Sequence, residues 1–203
     1  MFQSHMLRLL IAVIFCCSIV NTTSAQSKIT EPEWNKLTKA LSEEHWKEAE
    51  PIAANYLARF KGQEDTLNAA AIIRYMYLRC VAARLANKEY TPTAALTKVK
   101  KLYGKDVISP VLKFKQDGIF NFIKIGEDKQ SLFLCGANDA ATQIHTFETY
   151  NVSEDTTLTN RLPNLEGHYV RLLGTIKEIK NGGVAMPHLE ILLINTLISV
   201  EEE

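Results

Sequence analysis

Val99-Lys100-Lys101-Leu102-Tyr103-Gly104-Lys105-Asp106-Val107 marks the point at which the chain changes its hydrophobic period. Up to Leu102, apolar residues recur at the three- and four-residue steps of a helix. Beyond Gly104 they fall into short alternating runs bounded by Gly, Asn, Asp and Pro, which is the strand signal. Charge changes sign at the same place: residues 26–103 carry 13 Lys/Arg against 9 Asp/Glu, net +4, and residues 104–203 carry 9 against 14, net −5. The pattern predicts an α+β protein made of a helical module over 26–103 and a strand-built unit over 104–203.

Within the first unit, Ile29-Thr30-Glu31-Pro32-Glu33-Trp34 predicts a helix start, with Thr30 as cap, Glu33 closing a capping box and Ile29 stapling onto Trp34. Leu37 and Leu41 continue the apolar face. A second helix places Trp46, Ala49, Ala53, Tyr56, Leu57 and Phe60 on one side and stops at Gly62. Pro51 inside it predicts either a kink or a start later than Trp46. Thr66 to Ala86 is apolar on more than one side and predicts the buried centre of the bundle. The fourth helix opens at Thr91-Pro92 and runs through Ala95, Leu96, Val99 and Leu102. Four helices with short connections make two helical hairpins. Trp34, Leu37 and Leu41, followed by Trp46 and Ala49, are similar to the spacing of tetratricopeptide (TPR) repeats, with Thr38 and His45 where that motif takes a small residue and a glycine. The competing reading is a plain packed bundle whose tryptophans are core.

In the second unit, strands are predicted near residues 107–111, 120–125, 131–135, 143–152, 168–180 and 188–200, and a short helix near Ser153 to Asn160. If the first two form one bent strand, the order is three strands, a helix and two strands. That is the order of the OB-fold, a five-stranded, partly open Greek-key β-barrel. Leu165-Glu166-Gly167-His168-Tyr169-Val170-Arg171-Leu172-Leu173-Gly174-Thr175-Ile176 resembles the strand after the helix in anticodon-binding-like barrels, and Gly104-Lys105-Asp106-Val107 resembles their first-strand entry. The whole mature chain, with Arg74-Tyr75-Met76-Tyr77 and Ile144-His145-Thr146-Phe147-Glu148, resembles uncharacterised exported proteins of Gram-negative Bacteroidota. These resemblances imply an OB-fold-like barrel and export. They imply no activity and transfer no functional residue.

Residues 1–25 read as a secretory signal peptide. Arg8 precedes the uncharged run Leu9 to Val20, and Thr23 and Ala25 stand at the small-residue positions of a cut before Gln26. Met6 offers a second start with the same outcome. The apolar run falls short of the roughly 20 residues that cross a bilayer as a helix. Cys16 and Cys17 follow Phe15 and Cys16, not the small residue of a lipoprotein signal. The expectation is an exported protein, periplasmic or extracellular, with no membrane insertion after cleavage. Of its remaining cysteines, Cys80 and Cys135, a bridge is permitted in that compartment, while their apolar surroundings suit two buried free thiols. With the signal gone the charges nearly balance, so no large field draws the chain to nucleic acid or an anionic membrane.

His145 and Glu148 are the one pair whose chemistry invites a shared metal or proton. On a strand, alternation places His145 with Phe147 on one face and Glu148 on the other. His45, His168 and His188 lack local ligand spacing, so neither a metal nor another cofactor is expected. There is no G-x-S-x-G turn, and apolar surroundings raise a thiol pKa, so nucleophilic catalysis is not expected either. Asn181-Gly182-Gly183 reads as a hairpin loop. Phe133, Phe147 and Tyr169 can serve as stacking platforms or as core, and with His145 they form the candidate ligand-binding set. Glu201-Glu202-Glu203 reads as a solvated tail. The expected function is a non-enzymatic binding or protein-interaction module whose helical face meets a partner protein. The alternatives are a cell-envelope enzyme with a site not visible in sequence and a nucleic-acid-binding OB-fold protein. The net negative charge of residues 104–203 works against the latter.

Overall fold

The computed structural model of the chain describes residues 29–60, 68–114, 122–125, 131–137, 144–152, 165–184 and 187–201. Thr30 opens helix α1 (Glu31–Ser42): the Glu33 carboxylate accepts from the Thr30 backbone N–H at 2.9 Å and from its hydroxyl at 3.0 Å. Helix α2 (Trp46–Arg59) starts at Trp46 and continues through Pro51, so the later start is not taken. Pro51 and Lys47 are both exposed, which leaves the carbonyl deprived of its donor open to water. Helix α3 (Asn68–Ala86) is buried on every side. Helix α4 (Pro92–Val99) is capped by Thr91, whose hydroxyl accepts from Ala94 N–H at 3.2 Å, and tightens into a 3-10 turn, Lys100–Leu102. Among the described residues, no helix is long and apolar enough to cross a membrane.

Gly104 ends that turn at φ +73, a left-handed conformation that suits glycine, and its N–H donates to Ile176 O at 2.8 Å. The residue where the period changes is therefore already tied to the sheet. The strands are β1 (Asp106–Ile108), β2 (Leu112–Phe114), β3 (Phe122–Ile125), β4 (Ser131–Ala137), β5 (Ile144–Val152), β6 (Tyr169–Gly182) and β7 (His188–Glu201). They form one mixed sheet in the order β1-β6-β2-β3-β4-β5-β7, and β6 also pairs with β7. The pairs β2–β3 and β5–β7 are parallel and the others antiparallel.

The expected bent first strand is made of three pieces. β1 and β2 both lie on β6, and β3 runs beside the end of β2 and hands the pairing on to β4. In β6, burial of Val170, Leu172, Gly174 and Ile176 keeps the period of two; it skips to Ile179 where a register shift lies between Ile176 and Glu178. Of the expected hairpin loop Asn181-Gly182-Gly183, Asn181 and Gly182 belong to β6, opposite Leu189 and His188, and only Gly183 lies beyond the strand. Glu201 is not part of a solvated tail. It closes β7 opposite Tyr169, and its carboxylate accepts from Arg171 Nε at 2.9 Å; residues 202–203 lie outside the described residues. The short helix expected near Ser153 to Asn160 lies outside the described residues, as do residues 1–25.

Helices and sheet bury one continuous apolar cluster that runs from Leu37 through the residues of α3 to Leu193. α3 packs against α2 and α4 and also against β1, β5 and β7.

Candidate functional site

A helix buried on all sides still has to accommodate three guanidinium groups: Arg74, Arg79 and Arg84 stand at five-residue steps along α3. Five residues turn the helix by one full turn and about 140° more, so the three side chains leave in different directions. Buried charge is costly unless paired, and each finds an acceptor on a different element. Arg74 donates to Asp106 O of β1 at 2.7 Å, Arg79 to the Glu148 carboxylate of β5 at 2.8 Å, and Arg84 to the Glu50 carboxylate of α2 at 2.8 Å.

The Arg79–Glu148 pair joins the helices to the sheet. Glu148 is fully buried and the Arg79 side chain is 19% exposed. One carboxylate oxygen takes the Arg79 bond; among the described residues the other, Oε2, has no hydrogen-bond partner, nor has the hydroxyl of Tyr150 two residues on. Burial pushes the Glu148 carboxyl above its ordinary value of 4.5, only partly opposed by Arg79. Burial likewise pushes Tyr75 up to about 12 and Tyr150 well above the usual phenol value. The aromatic rings form the rest of this joint. Tyr75 stacks on Tyr150 with centroids 6.3 Å apart, Trp46 meets Phe147 edge-on at 5.5 Å, and the Arg79 guanidinium lies 5.2 Å from the centre of the Phe147 ring.

Arg79 also forms part of the wall of a cleft of about 400 Å³ between α1, the start of α2, α3 and the β1–β2 connection. Leu41, Trp46, Ile72, Met76 and Leu112 make its apolar surface, and Thr38, Ser42, Tyr75 and Arg79 bring the polar atoms. Arg79 is the one charged residue among the described residues of this lining. The Thr38 hydroxyl donates to Trp34 O at 3.0 Å and the Ser42 hydroxyl to Lys39 O at 2.9 Å, so both protons are held by the carbonyls of α1. A cleft of this size, mostly apolar with a few polar groups, has the character of a ligand site.

None of the residues singled out in the sequence as ligand-binding candidates is among the described residues of this lining. Phe147 is buried between Trp46 and Arg79, so it is a core ring. Tyr169 lies at the sheet surface, 39% exposed, with Lys113 Nζ 5.7 Å from its ring centre. Phe133 sits in β4 opposite Thr149 and His145 in β5 opposite Gly136, and their side chains lie outside what is described. His168 precedes Tyr169 while His188 faces Gly182, so these two stand at opposite ends of the β6–β7 ladder. Among the described residues no group of three or more His, Cys, Asp or Glu comes together. Cys80 is a buried free thiol, raised by burial well above its usual pKa. What sequence reasoning missed is Arg79, together with Tyr75 and Met76. The available signal was three charges in a helix with no polar face.

No family model, no curated protein and no solved structure matches this chain.

Proposed function

We propose that this chain is an exported, non-enzymatic binding module: a TPR-like helical unit docked on an OB-fold-like barrel, which holds its partner in the cleft beside Arg79. The observation that carries the proposal is that cleft, about 400 Å³ with an apolar wall containing Trp46 and a single charged residue. The barrel assignment is supported by the neighbours of β6, which borders both β7 and the β1–β2 pair, and by the parallel β5–β7 pairing between strands separated by β6. A small Greek-key barrel uses such a strand neighbourhood. The TPR-like assignment is supported by the burial of Leu37, Trp46 and Ala49 in the α1–α2 hairpin. Export is supported by the charged start, apolar run and small residues of positions 8–25. The acidic balance of residues 104–203 argues against nucleic acid as the partner.

The test is a titration of the mature protein with Nile red, an uncharged apolar fluorophore. Saturable enhancement is expected, and Met76→Trp, which adds bulk to the cleft wall, should weaken it about tenfold while the urea midpoint holds. Binding that never saturates, or that Met76→Trp leaves unchanged at full stability, contradicts the assignment of the cleft.

A further inference from the structure

Resting on the cleft as the binding site, we infer that its occupant is an uncharged peptide segment of a partner protein, anchored by a large apolar side chain and by a carbonyl that accepts from the Arg79 guanidinium. The polar inventory of the wall sets the ligand's chemistry. The Thr38 and Ser42 hydroxyl protons are committed to Trp34 O and Lys39 O. A guanidinium carries five N–H donors. That of Arg79 donates to the Glu148 carboxylate at 2.8 Å, also engages the Tyr75 hydroxyl of the wall and rests near Phe147, and these partners do not use all five donors. The cleft therefore offers N–H donors from Arg79 and acceptor lone pairs from the Thr38 and Ser42 hydroxyl oxygens, and its one charged group asks for an acceptor.

Charge decides which kind of acceptor. Arg79 and Glu148 sum to zero, and the buried Glu148 Oε2 already lacks a donor. An entering carboxylate would be a second anion beside Glu148 with no second cation among the described lining residues. An entering ammonium would meet Arg79 first and lose its water without a free carboxylate on the wall. A neutral amide carbonyl takes an N–H of Arg79 and leaves the pair balanced. The apolar wall of Leu41, Trp46, Ile72 and Met76 provides for the attached side chain.

The experiment displaces Nile red from the unmodified mature protein with three probes sharing one aromatic body: N-acetylphenylalaninamide, the N-acetylphenylalanine anion and phenethylammonium. The amide is expected to displace the dye at a concentration at least about tenfold lower than either charged probe. A better or equal carboxylate means an acidic amphiphile is the occupant and overturns the inference; a better or equal ammonium means a cationic one and does the same. Dye binding that none of the three displaces overturns it too. Absence of saturable dye binding instead refutes the cleft itself, so the two failures are distinguishable.

Discussion

Glu50 lies among the helices and Glu148 between the helices and the sheet; both are buried carboxylates, and their pKa values are shifted in opposite directions. Glu50 receives Lys98 at 2.8 Å, Arg84 at 2.8 Å and the Tyr90 hydroxyl at 2.8 Å. Burial works against its charge, but those hydrogen bonds outweigh the penalty and its pKa lies below 4.5. Glu148 receives one guanidinium and keeps one oxygen unpartnered, so burial prevails and its pKa lies above 4.5. Glu50 has three donors and is the less deeply buried; Glu148 has one and is fully buried, and both differences act in the same direction. A redundantly satisfied carboxylate belongs to a framework. The half-satisfied pair is the one that borders the cleft.

The largest expected effect comes from removing a donor on each side. Arg79→Ala strips Glu148 of its one partner and is expected to cost about 3–5 kcal/mol in urea unfolding. Arg84→Ala leaves Glu50 with Lys98 and Tyr90 and should cost less, about 1.5–3 kcal/mol. Equal losses would mean that the extra donors around Glu50 do not share its charge.

The comparison sharpens with pH. Glu50 is depressed when folded, so its stabilising contribution is present above the unfolded value of 4.5 and is lost as pH falls through the folded pKa. Glu148 is raised when folded, so its contribution is fully present below 4.5 and is lost as pH rises through the folded pKa. Relative to Glu50→Gln, the native chain should gain stability as pH rises toward 4.5. Relative to Glu148→Gln, it should lose stability as pH rises beyond it. Two difference curves of the same slope would break the contrast between the sites.

What was legible in the sequence is local. The change of period at Gly104, the Thr30 and Thr91 caps and the β6–β7 hairpin depend on neighbours a few residues apart, and the structure places them there. Arg79 and Glu148 are 69 residues apart and meet because α3 packs over β5. No spacing rule encodes that crossing. Phe147 takes the core alternative of its sequence reading: Phe147, Glu148, Thr149 and Tyr150 are all buried, so the alternation of a strand with one wet face could not decide between core ring and platform there. Glu148 drew notice in the sequence beside His145, on the opposite face of the strand; its ion-pair partner is Arg79 of α3, to which no local spacing points.

The most direct measurement replaces the pair rather than breaking it. Arg79→Met with Glu148→Leu exchanges two buried charges for apolar side chains, a change that is often neutral or stabilising when packing is kept. If the pair serves the cleft, the double variant unfolds with stability within about 1 kcal/mol of the native chain or above it. It still binds Nile red through the apolar wall, and displacement by N-acetylphenylalaninamide weakens by about tenfold or more. Undiminished displacement by the amide in a folded double variant would show that Arg79 anchors nothing and would contradict the account.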